Sequence, residues 1–219
     1  MLKKSLIFAA LLSLIALAAC ADKTTKKTSN TNSKSKNANQ TTADYKKGVT
    51  PVADPEVAVF EMEGPAFGTF KIELYSNVAP QMVARFKELI NSGYYNGIAF
   101  HRINDTVVQA GNAYTKPGVT PDPQKGEGDS GRPDVPAEFS DIPYDTGIVG
   151  AARLGQDVNS ANAQFFIMLK RESQFDNKYT VFGRVIDGMN NIRTMAGVQR
   201  NGEKPVDPVR IKSARIESR

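Results

Sequence analysis

The chain has 219 residues, 40% of them apolar and 23% charged, which excludes a polytopic membrane protein, a fibrous protein and a wholly disordered one. It contains one Cys, one His and no Trp, which rules out an internal disulfide and a multi-His metal site and leaves His-dependent nucleophilic chemistry little to work with. The net charge of +5 is unevenly held: residues 1–19 carry +2, residues 20–50 carry +5 and residues 51–219 carry −2, so the larger part of the chain lacks the positive surface that a nucleic acid requires.

Lys3 and Lys4 precede an apolar run from Leu6 to Ala19 broken only by Ser13. Its 14 residues are too short to span a bilayer comfortably and read as the apolar core of a signal peptide over residues 1–19. The run ends in Leu17-Ala18-Ala19-Cys20, which resembles a bacterial lipobox. The resemblance implies cleavage before Cys20, lipidation of its thiol and a lipid anchor in the cell envelope, facing the periplasm or the exterior. More than one acyl chain makes such an anchor stable. Ala21 after the Cys is compatible with outer-membrane sorting where there are two membranes. The plainer alternative is a secretory signal with an incidental Cys. Residues 21–50, after the Cys20 that opens the segment 20–50, are rich in Thr, Lys, Asn and Ser without apolar periodicity, and are expected to form a solvated tether. Thirty such residues span roughly 30 Å on average and about 100 Å when stretched.

Residues 51–219 read as one β-rich domain. Val57–Met62 is a strand, a Gly/Pro turn follows, and Phe70, Ile72 and Leu74 alternate with polar residues in a second strand with one wet face. Met82, Val83, Phe86, Leu89 and Ile90 share a helical stripe, with Pro80 near the start and Gly93 at the end. Ile98–Ile103 and Thr106–Ala110 are short strands. Residues 113–146 form a long Pro/Gly/Asp-rich loop, a length usually found in functional or mobile segments. Ile148–Ala152, Ala163–Leu169 and Thr180–Val185 read as buried strands, Met189–Met195 as a short helix and Val209–Ile216 as a last strand. About eight strands and two helices with hairpin-like connections predict a closed antiparallel barrel capped at its ends.

Two patterns in the long loop mislead. Gly126-Glu127-Gly128-Asp129-Ser130-Gly131 matches a dinucleotide fingerprint, but no strand precedes it and Pro133 and Pro136 stand where a helix has to begin. The acids of the same loop lack the spacing of a calcium-binding loop. No cofactor and no metal are expected.

Phe100-His101-Arg102-Ile103, Gln109-Ala110-Gly111-Asn112, Gln164-Phe165-Phe166-Ile167 and Val181-Phe182-Gly183-Arg184-Val185 resemble, in that order, the blocks of the cyclophilins. These are peptidyl-prolyl cis–trans isomerases with an eight-stranded barrel and two helices. The resemblance covers about residues 55–216. It implies that Arg102 is the catalytic arginine and that Gln109 holds the substrate carbonyl and steadies it. It places Phe166 in the floor of the proline pocket and Ala152 where backbone pairs with the peptide. Gln164, Thr106, Val107, Phe175 and Tyr179 complete the substrate-binding set. Phe165 is expected in the core, since adjacent strand residues face opposite sides. His101 is read as structural, because rotation needs no proton acceptor. The partners implied are proline-containing segments of unfolded or exported proteins, bound by a monomer.

The sequence departs from the family pattern around the pocket. The segment from Arg102 to Gln109 is one residue short, and Thr106 and Val107 stand where Phe-Met is usual. Gln174, Phe175 and Tyr179 replace the usual Trp, Leu and His, which implies weak binding of cyclosporin. The rival reading is a non-catalytic module on the same fold, an adhesin or holdase; Arg102 with Gln109 favours the enzyme. A solute-binding lipoprotein is disfavoured, because two α/β lobes do not fit this length.

Overall fold

The computed structural model describes residues 44–64 and 66–219. The signal segment, Cys20 and most of the expected tether lie outside the described residues.

The described chain begins with strand β1, Asp44–Lys46. Strands β2 (Glu56–Met62) and β3 (Thr69–Leu74) form the expected hairpin. Helix α1 (Pro80–Asn91) buries the five residues of the predicted stripe, with Pro80 in its first turn. The stretch read as one strand from Ile98 to Ile103 is two: β4 (Ala99–Phe100) and β5 (Arg102–Ile103), separated by His101. Strands β6 (Val107–Ala110), β7 (Glu138–Ser140), β8 (Ile148–Ala151), β9 (Phe165–Met168) and β10 (Val181–Asp187) follow, then helix α2 (Met189–Ala196). A small hairpin, β11 (Arg200–Asn201) and β12 (Lys204–Pro205), precedes the last strand, β13 (Val209–Ser218).

Nine strands make one sheet in the order β4-β13-β2-β3-β10-β8-β9-β6-β5, with antiparallel neighbours throughout. The two ends of that order are consecutive in sequence. β4 pairs with β13, β5 pairs with β6, and the single residue between them, His101, donates its backbone N–H to the carbonyl of Gln109 at 3.1 Å. The sheet thus closes through one bent strand, and counting β4 and β5 together gives the expected eight-stranded barrel with two helices. Inside lie Phe60, Phe70, Phe86, Tyr95, Phe100, Phe165 and Phe182, all within 1% of complete burial. Phe60 and Phe70 stack at 5.0 Å, and the T-shaped and tilted contacts of the other rings are the arrangements that aromatic quadrupoles favour.

Two boundaries need correction. The loop over residues 113–146 holds a 3-10 turn at Ala113–Thr115 and the strand β7. The Glu138 carboxylate of β7 accepts from the backbone N–H groups of Gln81 and Met82 at 3.1 and 3.0 Å, capping a helix that has no cap of its own. The tether, expected to run to residue 50, ends earlier: β1 pairs in parallel with β7. Tyr45 donates to Asn177 at 2.9 Å, Lys46 to the carbonyl of Val78 at 2.9 Å and Gly48 to the Asp141 carboxylate at 2.7 Å, while Val49 packs on buried Tyr75 and its neighbours. Polar composition concealed a strand whose partner lies over ninety residues away.

A chain starting at residue 51 should therefore be less stable than one starting at residue 41, by about 1–3 kcal/mol, read as a melting midpoint several degrees lower. Equal midpoints would show that this strand adds nothing.

Candidate active site

Antiparallel register places a row of residues on the outer face of the barrel. Arg102 of β5 lies opposite Gln109 of β6, Gln109 opposite Phe166 of β9, and Phe166 opposite Gly150 of β8. Directly paired residues share a face, so Arg102, Gln109 and Phe166 stand side by side while Phe165 points into the core. Gly150 completes the row by having no side chain. A Cβ there would come within 2.4 Å of the Phe166 ring and 2.8 Å of the Tyr144 hydroxyl.

The polar half of the row is a relay. Arg102 Nη1 donates to Gln109 Oε1 at 3.3 Å, and Gln109 Nε2 donates to Gln164 Oε1 at 2.8 Å. The backbone N–H of Ala152 donates to the carbonyl of Gln164 at 2.9 Å, and among the described residues nothing donates to the Ala152 carbonyl, which can accept from a bound chain. The far side of the Arg102 guanidinium faces Glu203, with Nε to Oε2 at 2.6 Å and Nη2 to Oε1 at 3.4 Å.

The apolar half is a second cluster outside the barrel: Phe166, Val107, Met168, Tyr144, Ile148 and Val181, with Phe175 and Tyr179 packed over it. Phe166 stacks near Tyr144 at 5.8 Å and meets Phe175 and Tyr179 edge-on at 5.4 and 5.5 Å. Only 3% of Phe166 and 1% of Val107 is exposed, so the notch is shallow and its accessible surface comes from half-buried Phe175, Tyr179, Thr106 and Ala152. Arg153 closes one wall: its guanidinium lies 4.7 Å from the Tyr179 ring centre and donates to the carbonyls of Lys178, Leu154 and Gly155. Beyond Gln109 and Ala152 opens a cavity of about 530 Å³ that carries the carboxylates of Glu127, Asp129 and Asp134.

The structure thus brings Arg102, Gln109, Gln164, Ala152, Phe166, Val107, Phe175 and Tyr179 to one surface, with Thr106 at its edge. Gln174 is exposed in a short 3-10 turn, Ser173–Phe175. Tyr144, Gly150, Arg153 and Glu203 were not anticipated. Of these only Glu203 had a readable signal, since Asn201-Gly202 marks a tight hairpin turn. The acids of the long loop form no metal cluster among the described residues, and the glycine-rich fingerprint there opens no helix.

A family model described as cyclophilin type peptidyl-prolyl cis-trans isomerase/CLD matches residues 58–216. The chain belongs to this family. A probable peptidyl-prolyl cis-trans isomerase of Brucella suis is 37% identical over 171 residues, covering 76% of this chain and 85% of its own. The peptidyl-prolyl cis-trans isomerase-like 1 of Aspergillus oryzae is 38% identical over 159 residues, covering 69% and 91%. Among solved structures, a Cryptosporidium parvum cyclophilin-type isomerase crystallised in the presence of the dipeptide Ala-Pro superposes with a TM-score of 0.65 at 26% identity, over 74% of this chain and 99% of that one. The cyclophilin-type isomerase described here is accordingly an enzyme on a mainly β, nearly closed barrel, as its sequence blocks imply.

His101 sits at the bend where this cyclophilin barrel closes. Burial holds the imidazole below the ordinary histidine value and the Arg102 charge adds to this, against the Glu127 carboxylate, the Gln164 side chain and the Ala99 backbone, which favour the charged form. A depressed folded-state value means that the unfolded chain binds the proton more readily. The stabilisation is therefore complete above the ordinary value near pH 6.5 and is lost as the pH falls from there through the lowered one. The melting midpoint is expected to be lower at pH 5 than at pH 7, and His101→Gln to remove part of that difference. An unchanged pH dependence in the variant would discard this account.

Proposed function

We propose that this isomerase rotates X–Pro bonds of exported, partly unfolded chains, with Arg102 as its catalytic group, from a lipid-anchored position outside the cytoplasm. Resonance sets the barrier at ~18–20 kcal/mol, and no bond is broken during rotation. The surface has only to fit the twisted amide better than either planar form. Twisting localises a lone pair on the prolyl nitrogen, and a guanidinium that stays charged and presents fixed N–H donors stabilises it. Raising the rate from about 10⁻² to about 10³ s⁻¹ requires roughly 7 kcal/mol. A charge-assisted hydrogen bond beside an apolar notch is the kind of interaction that supplies it.

The observation that carries this reading is the 3.3 Å contact between Arg102 and Gln109, directly opposed on adjacent strands and in one row with Phe166. Gln109 and the Ala152 carbonyl would hold the peptide, while Phe175, Tyr179 and the rim of Phe166 receive the proline ring. The covered floor favours one second reading, a peptide-binding module that turns over slowly. The two separate on catalysis. In residues 41–219, Arg102→Ala should lower kcat/KM on an Ala-Pro peptide by at least about ten-fold while the melting midpoint stays within about 3 °C. Undiminished turnover in the variant would remove Arg102 from the catalytic role, and a parent rate close to the uncatalysed one would leave the binding module.

The anchoring half of the proposal is supported by the lipobox-like Leu17-Ala18-Ala19-Cys20 and the polar stretch after it. Bacteria expressing the full chain with labelled palmitate should yield a labelled protein that starts at residue 20 by intact mass, and Cys20→Ala should carry no label and keep residues 1–19. Label in the variant, or none in the parent, rules the anchor out.

A further inference from the structure

Arg102 is a long side chain, 42% exposed, at the end of a two-residue strand. Left alone it would sample many rotamers, and catalysis needs one. A guanidinium has five N–H donors in a rigid fork. Nε–H and one Nη2–H face Glu203, and one Nη1–H faces Gln109. Among the described residues, one donor on each Nη is left for a ligand.

Glu203 is itself held. It lies in the two-residue turn between β11 and β12, where Gly202 takes a φ of +63° at the first central position. Its backbone carbonyl accepts from the N–H of Ile103 at 2.7 Å, and its Oε1 accepts from Asn104 Nδ2 at 2.6 Å. Asn104 in turn accepts from the N–H groups of Thr106 and Val107, both at 2.8 Å, which shapes the shortened turn after Arg102. Arg200, on the same hairpin, donates to the Ile103 carbonyl at 2.9 Å and to Asp105 at 3.3 Å. The hairpin is thus laced to both ends of that turn.

We propose that Glu203 is a positioning residue, whose carboxylate fixes the Arg102 fork so that its two free donors face the prolyl nitrogen. The inference rests on Arg102 being the catalytic group. The pair is half exposed, at 42% and 50%, so it adds little to stability, and its removal leaves the fold standing. What the contact supplies is direction: the carboxylate takes the side of the fork that the substrate does not use. Arg102 first, then Asn104, holds the Glu203 carboxyl below the usual carboxylate range, which keeps it charged at neutral pH.

The test compares the parent, Glu203→Ala, Glu203→Gln, Arg102→Ala and the Arg102→Ala/Glu203→Ala double variant of residues 41–219. Glu203→Ala should lower kcat by about five-fold with KM little changed, the scale of a misaligned catalytic group. Glu203→Gln, which keeps an acceptor for Asn104 and Arg102, should recover part of the loss. In the Arg102→Ala background, removing Glu203 should cost nothing more, because it acts through the arginine. By NMR, the Arg102 Nε–Hε signal should shift and exchange faster with water in Glu203→Ala. Parental or raised kcat in Glu203→Ala, with Arg102→Ala crippled, overturns the positioning role and spares the catalytic one. A further loss in the double variant also overturns it. Full activity of Arg102→Ala overturns both.

Discussion

A β-strand satisfies its backbone on both sides only where two neighbours come within reach. From Ala99 to Ile103 the chain changes neighbours, from β13 to β6, and His101 is the residue at which it turns. That change of partner closes the barrel and puts Arg102 on the outer surface directly across from Gln109. The side-chain relay, the row with Phe166 and the approach of the 200–205 hairpin all follow from it. Were the segment one straight strand bonded to a single neighbour, the sheet would remain open and the arginine would lose the strand that carries its glutamine.

The surface built on this closure joins two kinds of order. On one side each polar group is fixed by another, from Gln164 through Gln109 and Arg102 to Glu203. On the other, aromatic rings pack to a density that leaves Phe166 almost wholly covered. Gly150 allows this by leaving the space into which the Phe166 ring settles, with Tyr144 behind it. Reaction of an amide that only rotates needs no labile proton and no metal from such a surface. It needs donors whose direction is already set when the peptide arrives.

Much of this was legible in the sequence. The period-2 alternation of Phe70, Ile72 and Leu74 and the stripe of α1 are local signals, and both elements stand where they were expected. The blocks around Arg102, Gln109, Gln164 and Phe166 gave family and barrel together, because the spacing of residues that face one groove is constrained by the fold. The misses have a common cause. β1 and β7 are three-residue strands of mixed polarity that exist because they find each other and Glu138 finds a helix end. Tyr144 lies in a stretch of Pro, Asp and Thr with no periodicity, and for Glu203 the Asn201-Gly202 pair marks the turn but not its partner. Nothing local distinguishes a residue whose role depends on a partner a hundred positions away. The bend at His101 was missed for the same reason, since Ile98–Ile103 is continuous as a pattern and divided only by its two neighbours.

Closure of the nine-stranded sheet has a consequence for the company this protein keeps. An open sheet presents a row of unsatisfied amides to any extended polypeptide and invites it to add as a further strand. Cyclophilins bind proline-containing peptides, and an unpaired margin beside such a groove would offer a polypeptide a second, unselective place to attach. Here the margin of the nine-stranded sheet is consumed by the chain's own turn at residue 101, so an extended polypeptide meets side chains there rather than a template.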